Sequence, residues 1–454
     1  MNIAKIQDTE HAAIAARLGT EHVADIVEFL NGKSAADATE IVSHMPLQWA
    51  VEVLDQPQFH DACEVIEALP HDKAVALVEG MSADRAADVL RWIEEPAKGR
   101  LRDALSAETR TAIDHLLTYA EGTAGALMTT EFVSVTSDWT VQQTLDHIRE
   151  VERSRETVYA IYVLAPDTRR LVGTVSLRRL ISGAPQDPIL SVANPYTPIT
   201  VPPNLHQEEV ARTISKYNFL AVPVVDSTGH VLGIVTVDDV IDAMIQEQTE
   251  DVQRMGGMEA IDEPYLDISF LQMIKKRAGW LCVLFLSEML TTSAMQVFSD
   301  ELEKAIVLAL FIPLVMSSGG NSGSQATSLI IRALALRDVR LGDWWRVAIR
   351  ELPTGIVLGS ILGIIGIIRI TVWQEAGIFD YGEYWKLLAM TIGAALVGIV
   401  TFGSLAGSLL PFALKRLGFD PATSSAPFIA TLVDVTGIVI YFSVAWLFLH
   451  GTIL

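Results

Sequence analysis

The chain has 454 residues, half of them hydrophobic, and its formal net charge is −22. A chain of this length is expected to form two to four domains. Strong negative charge repels nucleic acid and attracts cations, so we exclude nucleic acid as a partner. The two cysteines, Cys63 and Cys282, suggest neither a disulfide framework nor a metal cluster, and we interpret them as small apolar residues.

Charge is distributed unevenly along the chain. Residues 274–454 contain 13 Lys and Arg against 12 Asp and Glu, whereas residues 1–273 contain 20 against 43. Nearly all the long apolar runs lie in the second part, which indicates an acidic soluble half joined to a membrane half. The N-terminus is polar and shows no signal-peptide pattern, so we expect the soluble half to stay in the cytoplasm.

Residues 1–125 are predicted to form an acidic α-helical domain. Short segments rich in Ala, Leu, Val and Glu carry apolar residues every three to four positions, which is typical of amphipathic helices that stack into a small superhelix. Ser34, Asp72 and Ser82 are predicted N-caps. Asp84 and Asp88 lie one turn apart on one helix face, and this spacing alone favours a solvated acidic surface.

Residues 126–246 contain an internal repeat. The segment YAIYVLAPDTRRLVGTVSLRRLIS, from Tyr159 to Ser182, matches LAVPVVDSTGHVLGIVTVDDVIDA, from Leu220 to Ala243. Each unit is predicted to form a strand, a turn, a second strand and a helix, preceded by a helix and by a short strand at 132–136 or 199–201. This order and the GIVTVDD ending resemble a tandem pair of CBS domains (cystathionine β-synthase type), an α/β fold.

The CBS resemblance implies a binding site for an adenine nucleotide such as ATP. In such pairs a Thr and an Asp hold the ribose, and the matching residues here are Thr236 and Asp239. The first repeat ends in GTVSLRR and has no Asp, so we expect at most one competent site. Arg179 and Phe219 are the candidates for contacts with the phosphates and the base.

Residues 247–273 are predicted to form an acidic connector, entered by a helix that runs from the second repeat and ends at Gly256 and Gly257. The acidic residues along this helix are Asp239, Asp242, Glu247, Glu250 and Asp251. So many acids on one helix repel each other unless cations or basic partners lie nearby. A solvated linker and an element that couples the repeat to the membrane half are both open.

Residues 274–454 are predicted to form an all-α transmembrane domain with five spans. The spans are Gly279–Phe298, Ala305–Ala335, Val347–Trp373, Leu387–Leu414 and Ser425–Leu449. Lys and Arg precede the first span and lie around the loops after the second and fourth, whereas the other loops are acidic. Because positive loops stay in the cytoplasm, we expect a multi-pass protein of the cell (inner) membrane with its N-terminus inside and its C-terminus outside.

The last span carries a single charge, Asp434. A carboxylate at membrane depth costs about 2.5–3.5 kcal/mol on insertion scales, so such residues are usually functional or paired. At helical spacing Ala430 and Gly437 share its face, and small residues leave room for a pore or a close helix. We favour a cation site here, and the alternative is a carboxylate capped by a neighbouring hydroxyl such as that of Thr436.

Two other features of the spans are unusual. The second span contains the polar, glycine-rich run SSGGNSGSQATS, from Ser317 to Ser328, and such a run predicts irregular backbone that is buried or lines a cavity. Glu288 in the first span is a second intramembrane acid, for which pairing with a polar neighbour and a role in a pathway are equally open.

One carboxylate per chain is few for a divalent ion. A two-fold dimer with Asp434 near its axis would supply two. Mg²⁺ gives up its water reluctantly and binds through few carboxylates, so a hydrated Mg²⁺ suits such a pair. Ca²⁺ would need more direct oxygen ligands, and Zn²⁺ or Cu would need His or Cys.

The whole order of segments resembles the MgtE family of magnesium channels, with GGNSGSQATSLIIRALA and PFIATLVDVTG as its most specific motifs. The resemblance implies a homodimer in the cell membrane whose pore selects Mg²⁺ and whose cytosolic part senses Mg²⁺ and closes the pore. It makes Asp434 the pore ion site. The pore-lining residues it implies are Asn321, Ala426, Ala430 and Gly437.

The same resemblance implies which acids sense Mg²⁺ and overrides the solvated interpretation of Asp84 and Asp88. The implied sensor residues are Glu52, Asp84, Asp88, Glu208, Asp239, Asp242, Glu247, Glu250, Asp251 and Asp420. High Mg²⁺ would neutralise these acids, and a plug helix in the connector would then shut the pore.

Two other function classes compete with a channel. A carrier could couple cation uptake to protons, with Asp434 and Glu288 as the relay. A membrane regulator could sense nucleotide or Mg²⁺ without transport. An enzyme is the least favoured class, because no nucleophile elbow, P-loop or metalloprotease spacing occurs.

Overall fold

The computed structural model describes residues 3–152, 155–261, 265 and 268–452, with side chains from residue 9 onward. Part of the predicted connector, residues 262–264 and 266–267, lies outside the described residues. The chain divides into two compact units, Met1–Gln246 and Glu247–Leu454.

The first unit begins with a stack of short helices. They are α1 (Ile3–Leu18), α2 (Val23–Asn31), α3 (Ala35–His44), α4 (Leu47–Leu54), α5 (Ala62–Ala68), α6 (His71–Gly80), α7 (Ala83–Trp92), α8 (Ala97–Ala104) and α9 (Ala107–Leu116). From α1 to α9, each helix packs against the next but one in the chain. Their apolar residues, spaced three to four apart, face one continuous core, so the predicted superhelix is confirmed.

The N-caps differ in part from the prediction. The Ser34 hydroxyl accepts a hydrogen bond from the Asp37 amide, as an N-cap does. Ser82 occupies the N-cap position of α7, but its hydroxyl donates to Asp55 instead, at 2.8 Å. The prediction for Asp72 is wrong, because α6 begins at His71 after Pro70 and Asp72 lies in its first turn.

The two repeats form small sheets, and the predicted CBS fold is confirmed. The elements are α10 (Ala124–Leu127), β1 (Phe132–Thr136), α11 (Val141–Val151), β2 (Thr157–Leu164), β3 (Leu171–Ser176), α12 (Leu177–Ser182), α13 (Gln207–Tyr217), β4 (Ala221–Val225), β5 (Val231–Thr236) and α14 (Val237–Met255). Strand β2 pairs with β1 in parallel and with β3 antiparallel, and β4 pairs antiparallel with β5. The strand predicted at 199–201 is reduced to a single bridge between Val201 and Val224.

The segment before the first repeat pairs with the second repeat. Thr129 and Ile234 exchange two backbone hydrogen bonds, each 2.9 Å long. The approach depends on Gly233, where a Cβ would lie 2.5 Å from the Thr129 carbonyl oxygen. At the equivalent Gly173 a Cβ would lie 3.4 Å from the flexible end of Leu190. The backbone approach therefore requires glycine at Gly233, whereas the space at Gly173 would admit a Cβ.

The second unit is helical. Its helices are α15 (Phe270–Val297), α16 (Ser299–Lys304), α17 (Ile306–Ala309), α18 (Ile312–Ala335), α19 (Trp344–Glu375), α20 (Trp385–Arg416) and α21 (Ala426–Leu449). Among the described residues, five helical stretches are long and apolar enough to cross a membrane, as predicted. The first begins at Phe270, upstream of the predicted Gly279, because Ser269 and Gln272 form a capping box.

The polar run in the second span is a regular helix, so the expectation of irregular backbone is wrong. Glycines at four-residue spacing let α18 and α20 touch through their backbones: a Cβ at Gly403 or Gly407 would collide with the carbonyl oxygen of Gly319 or Gly323. The Thr327 hydroxyl also donates to the Gly407 carbonyl at 2.8 Å. The missing side chains thus allow close packing instead of breaking the helix.

Replacing Gly233 by Ala should destabilise the first unit, because the new Cβ cannot avoid the Thr129 backbone. We expect a cost of about 1–3 kcal/mol, as for an overpacked core, and a lower melting temperature of the purified full-length protein. Gly173→Ala is the matched control and should melt close to the wild type. Equal losses in the two variants would show that the Thr129–Ile234 pairing does not depend on Gly233.

Candidate cation sites in the two units

An acidic cluster lies in the first unit where α7 and α14 begin. Asp84, in the first turn of α7, has a buried Oδ1 with no hydrogen-bond partner among the described residues. Burial, and next the charge of Asp239, raises the pKa of Asp84 well above its usual range. The solvated surface suggested by the spacing alone is therefore wrong for Asp84. An unpaired buried carboxyl at neutral pH favours a proton or a cation beside it.

Asp239 and Asp88 belong to the same cluster. The Thr236 hydroxyl donates to Asp239 Oδ2. Burial raises the pKa of Asp239 to about 6. The side chain of Asp88 is exposed. The protein around it nevertheless raises its pKa to about 6 through desolvation, and the positive charges of Arg85 and Arg91 oppose this rise. Such a group lies in a concavity, open to solvent but partly shielded from it.

The structure adds acids that the sequence reasoning missed. Burial, and next the charges of Asp239 and Asp238, raises the pKa of Glu156 to about 7. Glu156 helps to line a cavity of about 570 Å³ together with Glu52, Asp55, Glu131 and Arg155. Glu131 and Glu156 flank β1 and β2, outside any helical charge pattern, so only the fold brings them to Glu52.

The cluster is suited to a hydrated ion rather than a bare one. Among the described residues, no three His, Cys, Asp or Glu side chains are arranged to hold a metal ion directly. Mg²⁺ keeps several water molecules and binds through one or two carboxylates, so such an arrangement can hold it through water.

Two further sensor candidates in the first unit, Asp242 and Glu208, have side-chain partners. Asp242 accepts a hydrogen bond from Gln58 at 2.8 Å. Glu208, at the start of α13, pairs with Arg212 at 3.2 Å. Those in the second unit are Glu247, Glu250 and Asp251 on the last turns of α14 and Asp420 in the loop before α21.

The nucleotide candidates divide into two places. Thr236 is buried and bound to Asp239, so these two residues are held together as predicted. Arg179 donates to the Ala193 carbonyl at 2.6 Å and lines a cavity of about 630 Å³ whose lining includes neither Thr236 nor Asp239. Phe219 stacks on Tyr217 with ring centres 5.5 Å apart. The buried Tyr162 hydroxyl, which the sequence reasoning missed, has no partner among the described residues.

In the second unit Asp434 lies in the first half of α21 and is partly buried. None of the described residues, Thr436 included, donates a hydrogen bond to it. Ala426 and Ala430 precede it at four-residue spacing and share its helix face. A Cβ on Gly320 of α18 would lie 3.4 Å from Ala430, so two helices meet beside this face.

The other pore candidates lie on neighbouring surfaces. Asn321 is exposed on α18 and bonds weakly to the Ser317 hydroxyl at 3.4 Å. Gly437 is buried, and a Cβ there would lie 2.9 Å from the sulfur of Met316. Its surface is therefore covered by α18 in this structure.

Glu288 lies at the level of Asp434. The parallel helices α15 and α21 meet through Trp280 and Phe428, whose ring centres are 6.4 Å apart, and through Phe298 and Phe442 at 4.8 Å. At about 1.5 Å rise per residue, both contacts place Glu288 within roughly 3 Å of Asp434 along the helix axes. No hydrogen bond or ion pair joins Glu288 to a polar neighbour among the described residues, and a role of Glu288 in a pathway stays a prediction.

Two charged residues within the spans were missed by the sequence reasoning. Glu351 of α19 accepts a hydrogen bond from the buried Ser404 hydroxyl of α20 at 2.5 Å. The Arg369 guanidinium lies 4.2 Å from the ring centre of Trp373 and 5.7 Å from that of Phe311. Their charge within apolar spans was a readable signal.

This combination of an N-terminal helical domain, a CBS pair and five apolar helices matches the class of divalent cation transporters. Residues 312–444 match the MgtE family, described as a divalent cation transporter, residues 21–122 match the MgtE intracellular N domain, and residues 124–184 and 192–246 match CBS domains. The protein is therefore a multi-pass membrane protein of that class.

Curated relatives narrow the class. The chain is 41% identical over 368 residues to the magnesium transporter MgtE of Thermus thermophilus, covering 80% of this chain and 79% of the relative. It is 30% identical to that of Bacillus subtilis, covering 77% and 74%. The chain belongs to the MgtE family of magnesium transporters, a family that is not enzymatic.

A solved structure is also similar to the first unit. It is the cytosolic domain of the Mg²⁺ channel MgtE in complex with ATP, 34% identical, covering 53% of this chain and 97% of that one with a TM-score of 0.49.

Replacing Asp84 by Asn should stabilise the first unit at neutral pH in EDTA. Because the folded-state pKa of Asp84 is raised, the folded state binds more protons than the unfolded state, so stability falls as pH rises above about 4. Thermal unfolding of the full-length protein should show a higher melting temperature for Asp84→Asn at pH 7.5 and a smaller difference from wild type at pH 5.

The exposed Asp103 of α8 provides the control, and Asp103→Asn should follow the wild type at both pH values. If Asp84→Asn melted at a lower temperature than wild type at pH 7.5, the claim that the charged Asp84 carboxylate destabilises the first unit would be contradicted.

Proposed function

We propose that this protein is a Mg²⁺-selective channel for magnesium uptake, a homodimer in the cell membrane that cytosolic Mg²⁺ closes. The observation that carries the proposal is Asp434, a partly buried carboxylate in a membrane helix without a hydrogen-bond donor among the described residues. Such a group is costly unless it binds an ion, a proton or a partner. Family membership favours Mg²⁺ as the ion.

The proposed pore site uses two copies of Asp434. A two-fold axis beside α21 would bring both carboxylates to one hydrated ion, which suits the coordination of Mg²⁺. Ala426 and Ala430 precede Asp434 on one face and leave room for the ion and its water. Gly320 lets α18 lie close behind them.

The proposed gate follows from charge repulsion. The first 273 residues carry 43 acidic and 20 basic residues, and a dimer doubles the excess. Burial raises the pKa of Asp84 and of Asp239, and in both cases the charge of a neighbouring acid adds to the rise. At low Mg²⁺ the acids would spread and the pore would open. At high Mg²⁺ shared ions would draw them together, and α14 would close the pore.

The orientation belongs to the same proposal. Lys275, Lys276 and Arg277 lie in the first turns of α15, and Lys415 and Arg416 end α20. Positive ends usually stay in the cytoplasm, which supports the proposed orientation with the N-terminus inside and the C-terminus outside.

ATP binding in the CBS pair is a further part. Thr236 and Asp239 already lie together, as a ribose site requires. The Tyr162 hydroxyl, on a strand of the other sheet, has no hydrogen-bond partner among the described residues. ATP titration of the full-length protein, with Asp239→Asn as the variant, tests it. No binding in the wild type would remove ATP from the account.

A proton-coupled carrier is the second candidate, favoured by Glu288 at the level of Asp434. The variant Glu288→Gln distinguishes a carrier from a channel. A carrier loses uptake driven by a proton gradient in this variant, whereas the channel keeps uptake down a Mg²⁺ gradient.

Replacing Asp434 by Asn should reduce Mg²⁺ uptake into proteoliposomes at least tenfold, because the pore loses its charged ligands. Thr436→Val, which removes the neighbouring hydroxyl, is the control and should conduct normally. Unchanged uptake in Asp434→Asn would make the carboxylate structural and favour an ion pathway lined by other residues.

Neutralising Asp84, Asp88 and Asp251 together should leave uptake intact but remove its suppression by millimolar Mg²⁺ on the cytosolic side. The reason is that fewer shared ions can draw the acids together. Uptake is measured at zero and at millimolar internal Mg²⁺. If the triple variant is suppressed as strongly as wild type, these acids do not sense Mg²⁺.

A further inference from the structure

The last turn of α14 is joined to the loop before α21 by one arginine. Arg254 Nη1 donates to Asp420 Oδ2 at 2.5 Å, and Nη2 donates to Glu250 Oε2 at 2.8 Å. The three side chains are only partly exposed. A guanidinium presents parallel donors that suit two carboxylates at once, and partial burial weakens screening by salt.

Asp420 is fixed on the membrane side of this contact. Its Oδ1 accepts from the Ala422 amide at 2.9 Å, which holds a short 3-10 turn that packs against α20. Asp420 therefore cannot follow α14 if the helix moves away. The ion pair must break when the two separate.

The segment after Arg254 docks on the same surface. A Cβ on Gly257 would lie 2.9 Å from Trp280 Nε1 and 3.2 Å from Pro427, and the Trp280 indole lies 3.3 Å from the Ser425 hydroxyl. The Glu259 amide donates to the Lys276 carbonyl at 3.1 Å. The end of the connector thus touches the first turns of both α15 and α21, the helix of Asp434.

We propose that Arg254 is a built-in cation that holds the connector against the membrane unit without Mg²⁺. The proposal rests on the proposed gate, in which Glu250 and Asp420 would share Mg²⁺. The guanidinium lies between these two carboxylates and supplies a positive charge of its own, so this contact does not require Mg²⁺. Mg²⁺ then acts through the other acids, and Arg254 sets how many channels are closed before Mg²⁺ binds.

Uptake in the absence of internal Mg²⁺ is the first test. Arg254→Gln and Asp420→Asn should each raise it, roughly threefold to tenfold, the size expected for a partly exposed pair between two acids. The double variant should rise no further than either single one, because both remove the same contact. Millimolar internal Mg²⁺ should still close Arg254→Gln, and Arg254→Lys should restore part of the wild-type behaviour.

Hydrogen exchange of the purified full-length protein in EDTA separates this proposal from the proposed function. The amides of Gly257 and Glu259, which are hydrogen-bonded in the docked segment, should exchange faster in Arg254→Gln. Arg346→Gln, which breaks an exposed pair with Asp343, is the control and should change neither exchange nor uptake.

Three results have distinct meanings. Faster exchange with higher Mg²⁺-free uptake supports the proposal. Unchanged exchange, or faster exchange with unchanged uptake, overturns it while leaving the gate by Mg²⁺ in place. Wild-type protein that takes up no Mg²⁺ at all rejects the proposed function, and the exchange result then stands alone.

Discussion

Carboxylates that lack a donor among the described residues constrain both units of this protein. Asp84 has a buried oxygen without a partner, and Asp434 lies in a membrane helix without a donor. Removing a carboxylate from water costs several kcal/mol unless a charge or hydrogen bonds replace the water. In the proposed function, a hydrated divalent cation takes the place of the missing hydrogen-bond donors at both positions. In that proposal, binding of the cation offsets the cost of keeping these carboxylates away from water.

The helices around Asp434 are built to keep its surroundings tight without large side chains. Gly319 and Gly323 lie against Gly403 and Gly407, and Gly355, Gly359 and Gly363 of α19 lie against α20 in the same way. Backbone contact of this kind gives rigid packing in lipid, where apolar side chains gain nothing from leaving water. A rigid α18–α20–α19 group leaves α21 and its first turns as the place where the connector acts, through Arg254, Gly257 and Trp280. In the proposed function, the ion site and the contacts of the connector therefore involve the same helix, α21.

Local patterns predicted most of the architecture, and distant partners were what they missed. Apolar spacing predicted the helix stack, the internal repeat predicted β2 to β5, and hydropathy predicted five spans. The run around Gly320 was misread, since its composition shows small side chains but not the helix that fills the space. Glu156 joins the acidic cluster through strand pairing, and Arg254 finds Asp420 across a long stretch of chain. No periodicity records such contacts, and the family resemblance implied acids but not the arginine.

The central claim is that an ion-conducting pore is closed by the ion that it conducts. Recording from single proteins in planar bilayers under a Mg²⁺ gradient tests it most directly. The account predicts unitary currents that reverse at the Mg²⁺ equilibrium potential and an open probability that falls as Mg²⁺ is added to the cytosolic side. The absence of unitary currents, together with Mg²⁺ uptake that requires a proton gradient, would contradict it.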